Sequence, residues 1–236
     1  MRTYYNRFAG QSLERLTALS DGLFAIAMTL LVLNLTVPTS AQIHSERGLW
    51  LALGSLGPRL LTYLMSFLTL GIFWVGQQTQ LNHFARSDRN LAWIHLAFLL
   101  AVALMPFSTA LLAAFITFRL AVGIYWLNIF LLGAVLFASH RYAISAKLIR
   151  DGVTPAMHAA VDQRIIIAQA LYAVGALLCI VNTYLSIVVI LLVQFNYVIA
   201  PRIPRSIGYR TRLLLPFPAN DSWILAVGPA FVISLA

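Results

Sequence analysis

Residues 15–35 read RLTALSDGLFAIAMTLLVLNL, a sequence whose composition suits lipid better than water. After one arginine it carries a single acidic residue, Asp21, within a run of mostly apolar side chains. The apolar segment here, Leu16–Val37, has 22 residues and would extend about 33 Å as an α-helix. Because that length matches the hydrocarbon core of a bilayer, the stretch predicts a membrane-spanning helix.

The rest of the chain has the same apolar character. Of its 236 residues, 61% are hydrophobic and only 10% are charged, whereas soluble domains carry about 25% charged residues. Further apolar segments lie at Leu56–Gly76, Leu91–Phe115, Leu120–Ser139, Ile165–Val181 and Tyr184–Ala200. We therefore predict an all-α polytopic membrane protein with six transmembrane helices. Pro106 should kink the third helix, and the fifth and sixth should form a tight helical hairpin.

The distribution of positive charge predicts how these helices are oriented. The net charge is +9, and 13 of the 16 Lys and Arg residues lie in the segments 1–15, 77–90, 140–164 and 201–236. Because Lys and Arg collect on the cytoplasmic side, we expect both termini there. The predicted domains are a cytoplasmic N-terminus (1–15), a six-helix membrane domain (16–200) and a basic C-terminal segment with a short apolar tail (201–236).

The sequence lacks the patterns of catalytic and metal-binding sites. Its five histidines have no metal-ligand spacing, and Cys179 is the single cysteine. Walker, HExxH and GxSxG motifs are also absent. We expect no enzymatic activity, no cofactor, no resident metal and no nucleic-acid partner.

The first predicted helix has two different faces. At about 100° per residue, one apolar stripe within about 60° of its circumference comprises Ile26, Leu30, Leu33 and Val37. Thr29 and Asn34 flank this stripe, whereas Asp21 points about 140° away from Ile26. The stripe could face a pore, lipid or another helix. An acid in a membrane helix needs partners, so we expect Asp21 to face the surrounding helices.

The pattern Arg15-x-x-x-Leu19-Ser20-Asp21-Gly22 resembles the R-x-x-x-F-S-D signature of the transmembrane protein 175 family, the lysosomal potassium channel family with its bacterial relatives. The following run AIAMTLLVLNL also looks like the first helix of that family. So do residues 71–75 (GIFWV) and 105–111 (MPFSTAL) on the second and third predicted helices. The resemblance covers roughly residues 12–115 and indicates a bacterial member.

This resemblance implies a passive potassium-selective channel in a prokaryotic inner membrane, with potassium as the permeant ion. Four identical six-helix subunits would place their first helices around a central pore. Hydrophobic side chains would form its constriction in place of a TVGYG filter, which this sequence lacks. The family positions map to Ile26 as the narrowest point, Leu30 and Leu33 as the next turns, and Thr29 as a hydroxyl position.

The polar signature is expected to be structural. Arg15, Ser20 and Asp21 should each bond to other helices and hold the first helix against the bundle, beside Gly22. Trp74 should pack in the bundle and donate its indole N–H to the signature. The chain departs from relatives at Leu19, which replaces Phe, at Gln77 and Gln78, where His is frequent, and at Asn34, where an acid is common.

Two other function classes stay open from the sequence. Asp21 inside a span and His95 on the third predicted helix are compatible with a proton leak or a proton-coupled transporter. A membrane-embedded enzyme or an assembly subunit is the third possibility, although clustered polar residues are lacking.

Overall fold

A computed structural model describes residues 12–38 and 43–199. Within these ranges the chain is helical, which confirms the all-α class, and its described residues contain no β-strand beyond one bridge between Phe84 and Ile149. The helices are α1 (Leu13–Val32), α2 (Glu46–Ser55), α3 (Gly57–Asn82), α4 (Arg89–Ala103), α5 (Met105–Ala114), α6 (Arg119–Ser145), α7 (Pro155–Leu177) and α8 (Thr183–Ile199). A 3₁₀ turn, Leu178–Ile180, continues α7.

Five spans in the described chain are long and apolar enough to cross a membrane. They are α1, α3, α4 together with α5, α6, and α7 with its 3₁₀ turn. The sixth predicted span corresponds to α8, an apolar helix of 17 described residues, or about 25 Å. The protein is therefore a multi-pass membrane protein. The C-terminal segment 201–236 lies outside the described residues.

The predicted limits of the first span are wrong at both ends. The helix begins at Leu13, inside the predicted N-terminal segment, because the Ser12 hydroxyl caps it by accepting from the Arg15 backbone N–H at 3.3 Å. It ends at Val32, so Leu33 lies at the C-terminal cap and Val37 lies beyond the helix. The apolar sequence continues past Val32, but the helical hydrogen bonding ends there. Val37 is therefore not part of the helical stripe that the sequence predicts.

Pro106 divides the third span as the sequence predicts. The helix is interrupted at Leu104, and α5 begins at Met105 with Pro106 in its first turn. Proline has no N–H to give, and its ring collides with the carbonyl one turn earlier. The two halves still form one apolar span of 26 residues, Arg89–Ala114.

The fifth span is longer than predicted. It begins at Pro155, ten residues before the predicted Ile165, because Thr154 caps it and proline suits the first helical turn. Polar residues in its first three turns lower the local hydropathy, so the search for apolar segments misses this start. The predicted hairpin with α8 is confirmed, since the Ser186 hydroxyl donates to the Gly175 carbonyl at 2.7 Å. A short helix that was not predicted, α2, lies between α1 and α3 and has no buried residue.

The loops at the two ends of the bundle make separate sets of contacts. At one end Arg59 donates to the Thr36 hydroxyl at 2.5 Å, which joins the segment after α1 to the start of α3. At the other end the backbone N–H of Ala85 donates to the Leu148 carbonyl at 2.8 Å. The predicted inner segments 77–90 and 140–164 therefore lie at the same end of the bundle.

Candidate functional site on the first helix

One side of α1 packs against the rest of the bundle. Its buried residues are Ser20, Phe24, Ala27 and Leu31, spaced four, three and four residues apart along one helical face. This face contacts α3, α4 and α5. Only these four of the 20 residues in α1 are buried, so most of its surface is not covered by the described part of the chain.

The opposite side of α1 is apolar and open. Ile26 is 56% exposed, Leu30 44% and Leu33 69%. Thr29 is exposed beside them, and its hydroxyl donates to the Ile26 carbonyl at 2.8 Å. The hydroxyl hydrogen is used in this bond to the backbone. The Thr29 oxygen can therefore act only as a hydrogen-bond acceptor toward a group on this face.

Ser20 joins three helices. Its hydroxyl is fully buried and lies 2.6 Å from His95 Nε2 on α4, and Gln77 on α3 donates to it at 2.9 Å. The same hydroxyl donates to the Leu16 carbonyl at 2.8 Å. The sequence identified Ser20 as a bonding residue but did not identify Gln77 and His95 as its partners. The only signals for them were the departure from the family at Gln77 and the polar His95 in an apolar run.

Asp21 is held by one face of α3. Its Oδ1 accepts from Trp74 Nε1 at 2.8 Å and from Gln78 Nε2 at 2.6 Å. The two donors are four residues apart, so they sit one above the other on the helix. This carboxylate therefore has two donors and faces the neighbouring helix, as the helical angles of α1 require. It does not point along the exposed apolar stripe.

Arg15 and Gly22 lack the contacts that a bonding role requires. The Arg15 guanidinium is exposed and, within the described ranges, has no hydrogen-bond or ion-pair partner, so its bond to another helix stays a prediction. Gly22 is also exposed, and a Cβ built there would meet no atom within 4 Å. Among the residues the structure describes, no group of three or more His, Cys, Asp and Glu could hold a metal.

Comparison of the sequence with known proteins identifies a family. A family model described as the endosomal/lysosomal potassium channel TMEM175 matches residues 15–106. A Chamaesiphon minutus protein named as a potassium channel is 33% identical over 178 residues, which are 73% of this chain and 87% of that protein. The chain belongs to the TMEM175 family.

Other TMEM175 relatives match shorter parts of the chain. A Streptomyces collinus protein named as a potassium channel is 43% identical over 102 residues, so the chain spans about half of that relative (43% of this chain, 48% of the other). The mouse endosomal/lysosomal proton channel TMEM175 is 32% identical over 109 residues, which are 44% of this chain and 22% of the mouse protein. The names of these relatives thus include both potassium and proton channels.

A solved structure extends the TMEM175 match to most of the fold. The crystal structure of a lysosomal potassium-selective channel TMEM175 homolog from Chamaesiphon minutus aligns with a TM-score of 0.70 and 28% identity, covering 80% of this chain and 97% of that one. The segment matched by the family model contains Ser20, Asp21 and all their side-chain partners on α3 and α4. The TMEM175 segment is therefore the one that fixes α1 on the bundle.

Proposed function

We propose that this protein is a passive potassium-selective cation channel, with a pore lined by the exposed stripe of α1 from four copies of the chain. The observation that carries the proposal is the division of α1. An apolar stripe of Ile26, Leu30 and Leu33 is left uncovered, while Ser20 and Asp21 fix the other side to α3 and α4. The names of the bacterial relatives support potassium as the permeant ion.

The stripe would restrict the pore without a carbonyl filter. Four copies of Ile26 form the narrowest ring, followed by rings of Leu30 and Leu33. An apolar ring resists wetting, so an ion crosses it only after losing part of its hydration shell. Potassium holds its water less tightly than sodium and is favoured at such a ring. The acceptor lone pairs of Thr29, one turn from Ile26, would replace part of the lost water.

The polar contacts would set the rotation of α1 about its own axis. Asp21 bonds to Trp74 and Gln78 on α3. Ser20 bonds to Gln77 on α3 and to His95 on α4, so two helices hold α1 on the side away from the stripe. Turning α1 to move Ile26 off the pore axis would break both sets. The bacterial relatives favour the inner membrane of a prokaryote. The excess of Lys and Arg in the segments 1–15, 77–90, 140–164 and 201–236 favours an orientation with both termini in the cytoplasm.

The test is flux through the purified protein. After reconstitution in planar bilayers under opposed potassium and sodium gradients, the reversal potential should lie near the potassium equilibrium potential. The mass in detergent, corrected for bound detergent, should be four times the 26.1 kDa of the chain. Absence of current, equal permeability to chloride, or a monomeric mass would each contradict the proposal.

A proton leak or proton-coupled transporter is the second candidate. It is favoured by the buried His95, which lies 2.6 Å from the Ser20 hydroxyl on α1, and by the name of the mouse relative. Proton movement should be measured with a pH dye inside vesicles that contain no potassium. Proton flux that saturates and is abolished by Asp21→Asn would favour this candidate. A potassium current that persists without any proton gradient favours the channel.

A further inference from the structure

Four titratable side chains meet at one end of the bundle, away from the stripe of α1. His140 lies near the end of α6, His158 and Asp162 lie in the first turns of α7, and His83 follows the end of α3. The segment matched by the family model ends at residue 106, so α6 and α7 lie outside it. The proposed pore gives these groups no role.

The geometry of this cluster leaves polar atoms without partners. His140 is fully buried, and among the residues that the structure describes neither of its ring nitrogens has a hydrogen-bond partner. Its Nε2 lies 3.7 Å from Asp162 Oδ1, which is also buried and unpartnered. The ring of His158 lies 5.3 Å from that of His140, centroid to centroid, and its Nδ1 is a fourth buried atom without a partner.

These unpartnered polar atoms lower the stability of the folded protein while all the histidines are neutral. Each buried donor or acceptor left unsatisfied costs about 1–3 kcal/mol. A proton on His140 would convert the 3.7 Å approach to Asp162 into a charged pair inside a poorly hydrated site. Histidine is the side chain whose unperturbed pKa lies closest to neutral pH, so a proton on His140 is the change of charge that this site can undergo.

Charged groups of both signs lie around His140. Asp162 offers the nearest negative charge, although its Oδ2 also accepts from the exposed Arg141 at 3.3 Å. The positive Arg150 lies beside His83, held by bonds to the His83 and Phe84 carbonyls, both at 2.9 Å. Burial lowers the pKa of His83, and charge on His158 or Arg150 lowers it further.

We propose that His140, Asp162 and His158 form a proton-binding site that draws α7 against α6 when His140 is charged, and so couples the pH at this end of the membrane to channel activity. The effect on activity rests on the proposed channel function, whereas the site itself does not. A charged His140 attracts the Asp162 carboxylate on α7 and repels a second proton from His158. The movement reaches α1 because α6 packs on α4, which carries His95 of the α1 anchor.

The first experiment measures the site without measuring ion flux. Spin labels are placed on exposed positions of α6 and α7 by Ala138→Cys and Gln163→Cys in a Cys179→Ala background. Labelled subunits are diluted with unlabelled ones, so that each assembly carries one labelled pair. The distance between the labels should be shorter at about pH 5.5 than at about pH 8. Asp162→Asn and His140→Leu should each abolish the difference.

The matched control is His44→Gln, which removes an exposed histidine from the segment before α2. It should leave the distance change intact. A distance that does not respond to pH, or a response that survives both His140→Leu and Asp162→Asn, overturns the site. Asp162→Asn is nearly isosteric, so it serves as the test if His140→Leu fails to fold.

The second experiment measures potassium flux in vesicles at the same two pH values. Coupling between separate sites is typically about fivefold or more, so the two fluxes should differ by at least that factor. His140→Leu should make them equal, and His44→Gln should not. Equal fluxes in the unsubstituted protein overturn the coupling. If that protein passes no potassium at either pH, the channel proposal fails while the distance measurement still decides the site.

Discussion

The first span and the fifth are the least buried in the described chain, yet they suit different surroundings. Only 22% of the apolar span of α1 and 17% of that of α7 is buried, against 44% for α6. Ile26 on α1 is 56% exposed and Val174 on α7 is 57% exposed. Exposure in a single chain therefore cannot distinguish a residue that faces a pore from one that faces lipid.

What distinguishes the two helices is the way their covered sides are held. Ser20 and Asp21 fix α1 through directional hydrogen bonds to α3 and α4. In contrast, the apolar part of α7 is held by side-chain bonds to backbone carbonyls, such as Ser186 to Gly175 at 2.7 Å, and by close packing of Gly175 against Ile190 of α8. A helix that must present one defined face needs a fixed rotation, whereas a helix in contact with lipid does not. The proposed channel function accordingly places α1 at the pore and the exposed face of α7 in lipid.

The largest expected effect comes from a polar side chain on the stripe. Ile26→Asn should let water into the narrow ring, so that cation flux rises about tenfold, equivalent to a barrier lower by about 1.4 kcal/mol. Sodium should then pass nearly as well as potassium. Single-channel recording under potassium and sodium gradients measures both. Val174→Asn, at an equally exposed position, is the control and should leave conductance and selectivity unchanged.

A smaller effect is expected where the anchor of α1 is broken. Ser20→Ala removes the hydroxyl that His95 and Gln77 share and leaves them only their mutual contact at 3.2 Å, which should cost about 1–3 kcal/mol of stability. The measurements are thermal unfolding in detergent and the potassium current. Ser55→Ala is the matched control because, within the described part of the chain, its exposed hydroxyl bonds only to the Ala52 carbonyl. Equal losses in both variants would show that the anchor has no special role.

Disturbing the α7–α8 hairpin should lower stability without changing selectivity. A Cβ at Gly175 would lie 3.0 Å from Ile190, so Gly175→Val should overpack this contact at a cost of about 1–3 kcal/mol. Gly123→Val on α6, where a Cβ meets nothing within 4 Å, controls for the β-branched side chain. A changed potassium-to-sodium ratio in Gly175→Val would place α7 near the pore and contradict its assignment to lipid.

The smallest expected effect is at Thr29. Thr29→Val removes the oxygen proposed to replace water around the ion, so potassium conductance should fall about twofold, a barrier change of about 0.4 kcal/mol. Stability should stay within about 0.5 kcal/mol, because the position is exposed. Thr79→Val on α3 is the control, since its hydroxyl also bonds one turn back, to the Val75 carbonyl at 2.8 Å. That variant should conduct normally.

The sequence predicts the membrane class and the two faces of α1 because both depend on hydropathy and helical spacing. It predicts that Ser20 and Asp21 need partners, since polar groups in a membrane-spanning helix must be paired. It cannot supply those partners, which lie more than 50 residues away on α3 and α4. Hydropathy also misplaces the end of α1 and the start of α7, where apolar character and helical hydrogen bonding end at different residues.

The role of α1 is tested by comparing thiol access at two equally exposed positions. In a Cys179→Ala background, Ile26→Cys and Val174→Cys are recorded in bilayers while silver ions, which bind thiolates, are added to the water. If α1 lines the pore, silver blocks the potassium current of Ile26→Cys channels and leaves Val174→Cys channels unaffected. A current through Ile26→Cys that silver does not change, or block at Val174→Cys alone, would contradict it.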